Sequence, residues 1–222
     1  MSSNHTSDHT QHLDPVKKHI KQTLINRGVY TILTSSSPSE ADEVDAVAVN
    51  GHNVKYIEFE SDKVKKNAVK SDWTSLQFIK DQTTDIILEA IKQNSDAISH
   101  VKNQTEEIAL AAVTINGLAL KHIKDKTEKV SITAVTQNGL ALEHVQNQTK
   151  PIWTAAILQN PEAIRYMSSQ NPEACLMAVT LDGMMLIYVH NKTANICLAA
   201  IAQNPNAITL IHDDILLASL LK

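Results

Sequence analysis

The sequence predicts an all-α fold, an α-solenoid of eight 22-residue helix–corner–helix repeats. Three observations carry this expectation. The stretch Thr105 to Lys126, TEEIALAAVTINGLALKHIKDK, matches again when slid by 22 residues in either direction, giving eight copies without insertion from Ser39 to Asp214. A fixed period of this size marks supersecondary units that bury a core only by stacking on their neighbours. The eighth position is Ala in every copy, from Ala46 to Ala200, and is followed by Val or Ile. An apolar residue such as Ile86, Ile108, Val130 or Ile196 usually lies four before it, and spacing of i, i+4, i+5 is helical rather than alternating. The twelfth position is always Asn or Asp.

Within a unit the elements follow in order. Position one reads Ser39, Ser61, Thr83, Thr105, Thr127, Thr149, Asn171 and Thr193, residues whose side-chain oxygen caps a helix start. A first helix of about three turns follows. The twelfth-position Asn or Asp then makes a tight corner, with Gly next in four units and Pro161 or Pro205 in two. Asn–Pro is the N-cap and N1 pair that starts a second helix. That helix, about two turns long, carries Leu120 and Ile123 or their equivalents three apart. A leucine-rich repeat would need an L-x-L strand ahead of its Asn column; here the Asn precedes the second apolar run.

Residues 1–14 read as a disordered polar tail containing His5, His9 and His12. Residues 15–38 read as degenerate capping helices, with Ile20, Leu24, Ile25 and Ile32 in core register. In the first repeat Asp42 stands where others have Ile or Val, so its packing is expected to be the weakest. The run 215–222, ILLASLLK, reads as one final helix with an apolar face in search of cover.

Composition narrows the function classes. The chain of 222 residues is 43% hydrophobic but only 4% aromatic, with a net charge of −4. An acidic balance argues against a dedicated nucleic-acid or membrane-surface binder. No signal-like apolar region follows Met1 and no 18-residue apolar run exists, so a cytoplasmic protein without membrane contact is expected. Cys175 and Cys197 hold the same position in consecutive units. Packed helices lie about 8–10 Å apart, too far for a disulfide, so two buried thiols are expected.

The pattern T-x-E-I/C-x-x-A-A-V/I-x-Q-N-G/P-x-A-L/I-x-x-V-x-N-Q, seen best in TEEIALAAVTINGLALKHIKDK, TEKVSITAVTQNGLALEHVQNQ and TANICLAAIAQNPNAITLIHDD, resembles the short tandem repeat known as domain of unknown function 4116. The resemblance covers about 39–214 and implies a microbial or giant-virus protein working inside a cell or virion. It brings no activity, so no catalytic residue is carried over.

No phosphate-binding loop, zinc-protease helix or nucleophile elbow is present, and no enzyme activity, cofactor, metal or small-molecule substrate is expected. The eighteenth column, Tyr56, Phe78, His100, His122, His144, Tyr166 and Tyr188, is expected to stack its rings as a ladder. Zinc needs ligand atoms about 2.0–2.1 Å from the ion, which histidines one repeat apart do not supply. On the first helix, positions 4, 5, 6, 8 and 9 form an apolar arc and leave 3, 7, 10 and 11 outward. Early repeats fill that outer strip with Lys63, Asn67, Lys70, Asp85, Glu89 and Lys92; later ones with Ala155, Leu158, Met177, Leu181, Ala199 and Ala202. A contiguous exposed apolar strip marks an interface. The expectation is a non-catalytic scaffold for protein–protein interaction or self-assembly, a homodimer being one form, with Leu217 and Leu220 of the final helix joining the contact. The alternative is single-stranded nucleic-acid binding on the ring ladder.

Overall fold

A computed structural model describes residues 13–58 and 60–221. They form two compact units that divide between Lys102 and Asn103. The first holds two cap helices and repeats one to three; the second holds repeats four to eight and a final short helix, Asp214–Ser219. All regular structure among the described residues is helical, and within each unit successive repeats pack helix on helix. The tail at 1–12 lies outside the described residues.

Each repeat opens with a ten-residue α-helix, Glu106–Ile115 in the fourth. Its start is capped by the position-one side chain in five repeats: Ser39, Ser61, Thr105, Thr127 and Asn171 each accept from the backbone N–H three residues on. Thr83, Thr149 and Thr193 make no such bond; Thr149 instead turns its hydroxyl to Glu128 Oε1, 2.9 Å away. The corner is uniform. In all eight repeats the position-twelve side chain accepts from the N–H two residues on, while its own N–H donates to the position-eight Ala carbonyl. One residue thus closes the first helix and caps the second.

The second helix is a six-residue 3₁₀-helix, Gly117–His122 in the fourth repeat, rather than an α-helix. Its bonds run from residue i+3 to i, as from Ala119 N to the Asn116 carbonyl at 2.9 Å. Because residues three apart eclipse in this geometry, Gly117, Leu120 and Ile123 share one side, and all three are buried. The core is therefore positions 4, 5, 8 and 9 of the first helix against 15, 16 and 19 of the second.

Two glutamine columns hold one repeat to the next. At position 22, Gln148 Nε2 donates to the carbonyls of Leu142 in its own repeat and Tyr166 in the next, while Oε1 accepts from Ser168 N. Gln82, Gln104 and Gln170 bond the following repeat in the same way. At position 11, Gln137, Gln159 and Gln203 reach back to accept from the N–H of Gly117, Gly139 and Gly183. Glycine is required there by close approach, since a Cβ on any of the three would collide with the position-eight carbonyl of the next repeat.

The N-terminal cap comprises helices Leu13–Asn26 and Tyr30–Thr34. The first ends at Gly28, φ 69°, where Gly28 N bonds the Ile25 carbonyl and Val29 N that of Leu24. This is the left-handed terminus that glycine adopts without a Cβ penalty. Ile32 and Val29 are buried, but Ile20 and Ile25, placed in the core by sequence register, are exposed. The cap helix has only one flank to cover, so half of its apolar positions find no neighbour. Asp42 avoids burial by joining a capping box: Ser39 N and Oγ both donate to Asp42 Oδ2, at 2.9 and 2.7 Å.

Candidate binding surface

The outward side of the first helices is where the two units differ. In repeats two and three it is charged: Lys63, Lys70, Asp85 and Lys92 are exposed, with Lys63 4.0 Å from Glu40 and Lys66 3.7 Å from Asp85. In repeats six to eight the same columns carry apolar residues among polar ones such as Gln159, Thr180 and Gln203. Leu158 is 61% exposed, Leu181 and Ala202 are exposed, and Ala155, Met177 and Ala199 are half-buried. Leu176 and Leu198, at position six, are also exposed; the arc drawn from sequence had placed that column inward. Position six lies one turn before position ten, so it borders the strip rather than the core, and in repeats seven and eight no neighbour covers it. The strip therefore gains two leucines that column-wise reading missed.

In the final helix the predicted contact residues Leu217 and Leu220 are half-buried, whereas Ile215 is 84% and Leu221 91% exposed. Asp213 Oδ1 accepts from Ile215 N and Leu216 N. That cap starts the helix ahead of the repeat register and turns a different apolar pair outward.

The eighteenth-column rings of the expected ladder lie along the second helices, with cations beside several of them. Tyr56 is exposed and Phe78, His100, His122, His144, Tyr166 and Tyr188 are half-buried. A cation stands between two pairs of successive rings: Lys55 Nζ lies 4.9 Å from the Tyr56 centroid and 5.7 Å from that of Phe78, and the Arg165 guanidinium 4.9 and 5.4 Å from Tyr166 and Tyr188. A cation over an aromatic face is held by the ring quadrupole, and in these two repeats position 17 supplies it as Lys55 and Arg165. Phe78 also meets the edge of His52 at 5.0 Å, and His100 stacks on Trp73 at 5.7 Å.

A polar cluster in the first unit was not anticipated from sequence. His52 Nε2 lies 2.6 Å from Thr74 Oγ1 and 3.3 Å from Asp72 Oδ2, and Thr74 Oγ1 donates to Asp72 Oδ1 at 2.7 Å. Burial works to raise the Asp72 pKa, but the Thr74 hydrogen bonds and the charges of His52 and His100 bring it below the ordinary value. Carboxylate and hydroxyl share one ring nitrogen, and the hydroxyl proton is already given to the carboxylate. His52 of repeat one is thereby held to Asp72 and Thr74 of repeat two.

Cys175 and Cys197 are free and buried, and burial raises both thiol pKa values. Among the described residues no group of three or more His, Cys, Asp or Glu could hold a metal ion, and no helix is long and apolar enough to cross a membrane. Comparison with protein-family models, with curated proteins and with solved structures found no match.

Proposed function

We propose that this chain is a non-catalytic repeat scaffold that binds protein, either a second copy or another chain, through the outward strip of repeats six to eight and the final helix. One observation carries the reading. Leu158, Leu176, Leu181 and Leu198 are exposed on packed helices whose core positions are already filled by other residues. Apolar surface exposed in this way is stabilised by removal from water, at about 25 cal/mol per Å². The charged filling of the same columns in the first unit shows that the repeat itself does not require leucine there.

Glutamate at Leu158 together with Leu198 tests this reading. Light scattering on wild type and variant across a concentration series, with cross-linking in extract, should show association lost while circular dichroism is unchanged. Association that survives both substitutions removes the strip as the binding surface. The resemblance to domain of unknown function 4116 fits a scaffold of microbial or viral origin acting in the cytoplasm, and it stands as part of the same proposal.

A further inference from the structure

A groove of about 460 Å³ opens between the N-terminal cap and the first repeat. Leu24 and Val29 line it beside the exposed Leu33 and Val49, with Arg27 and Lys55 among its polar groups and no carboxylate in the lining. Neither cation pairs with a carboxylate among the described residues. The groove is also pre-formed. Asn53 Nδ2 donates to the carbonyls of Arg27 and Ala46 at 2.9 and 2.8 Å, tying cap to repeat, and Gly28 fixes the corner. Position 15 is Ala in five of the other repeats, so the Asn is a local device for this joint.

The final helix has the complementary chemistry. Two adjacent carboxylates, Asp213 and Asp214, precede Ile215, Leu216 and Leu217, and Ile215 and Leu221 are the most exposed large apolar residues described. We propose that this acidic, apolar helix of one copy docks in the basic, apolar groove of a second copy, joining chains head to tail. The proposal rests on the scaffold reading in taking the final helix as an interface, but it does not need the strip of repeats six to eight. Opposite charge fixes orientation and steers encounter, while the leucines and isoleucine lose exposed surface. A contact made by one short helix stays below about 1,200 Å² of buried area, which is the weak, transient class. Different surfaces meet on the two copies, so the contact is heterologous and adds copy after copy, as a ring or an open filament.

The test uses the full chain in sedimentation and light scattering from micromolar to millimolar protein. Arg27→Glu with Lys55→Glu reverses the groove, and Asp214→Lys reverses the helix while leaving the Asp213 cap in place. Wild type should rise in average mass with concentration; each variant alone should need at least tenfold more protein, and an equimolar mixture of the two should recover association. A wild type that stays monomeric overturns the proposal, as does either variant assembling like wild type or a mixture that remains apart. Leu158→Glu run in parallel separates the two readings. Dissociation by that change alone sinks the head-to-tail contact and keeps the strip, and dissociation by the charge reversals alone does the opposite.

Discussion

Repeats one to three and repeats four to eight share a corner and a core but are joined by different chemistry. The later junctions rely on neutral amides, with Gln104, Gln148 and Gln170 on one edge and Gln137, Gln159 and Gln203 on the other. The earlier repeats use the same amide at Gln82 but add charge. Lys65, almost fully buried at a core position, lies 3.7 Å from Asp62 and 3.6 Å from Asp81, and His52 meets Asp72 across the first junction. Amide bonds are indifferent to pH and salt, whereas exposed partners such as Asp62 and Asp81 are screened and worth little. The first unit should therefore be the more responsive to solution conditions, and the second the more tolerant.

The sharpest way to break the amide-joined region is at its closest contact. Gly139→Val would drive a side chain into the Ala156 carbonyl and displace the Gln159 amide from Gly139 N. A cost of about 3 kcal/mol is expected, at the upper end for overpacking, read as a fall in denaturant midpoint. A neutral result would mean that the two repeats are not held as described.

Smaller and more informative is a junction that lacks its amide. After repeat four, position 22 is Lys126, and a groove of about 360 Å³ opens beside it, lined by Lys124, Glu128, Ser131 and Thr149 among others. Gln148→Ala should cost about 1–3 kcal/mol by stranding the Tyr166 carbonyl and Ser168 N–H. Lys126→Gln should instead gain about 0.5–1.5 kcal/mol by supplying the missing bonds to the His144 carbonyl and Gln146 N–H. Opposite shifts in chemical melts support the glutamine column as the joint; shifts of the same sign would sink it.

The repeat was legible because its two most constrained positions admit few residues. The Ala column is buried in every repeat, and the twelfth position must both accept and turn, so identity repeats there and betrays the period. The second helix was legible in length but not in type. Spacing of three between Leu120 and Ile123 fits an α-helix and a 3₁₀-helix equally, and only the bonding separates them. Glutamine at position 22 read as a polar corner because its partners lie eighteen and twenty residues on in the next repeat. The leucines at position six show the same limit. Whether Leu176 and Leu198 are core or surface depends on what the adjoining helix covers, which a single column does not encode.

The smallest effects expected concern charge in the first unit, and they carry opposite signs. Burial, then Glu40 and Asp42, raise the Glu43 pKa, so its ionised form is less welcome in the folded chain than in the unfolded one. Its contribution is favourable below the unfolded value near 4.3 and is lost as pH rises through the folded value. Glu43→Gln should therefore stabilise at neutral pH and make no difference at about pH 3. Asp72 is shifted the other way, and its contribution is present above about 3.9 and lost as pH falls through the folded value. Asp72→Asn should destabilise at neutral pH, and that penalty should fade on acidification. Thermal melts of both variants against wild type at neutral pH and near pH 3 measure this directly. Two shifts of equal sign at neutral pH would show that these carboxylates do not govern the first unit, and the contrast between charge-held and amide-held repeats would then lose its basis.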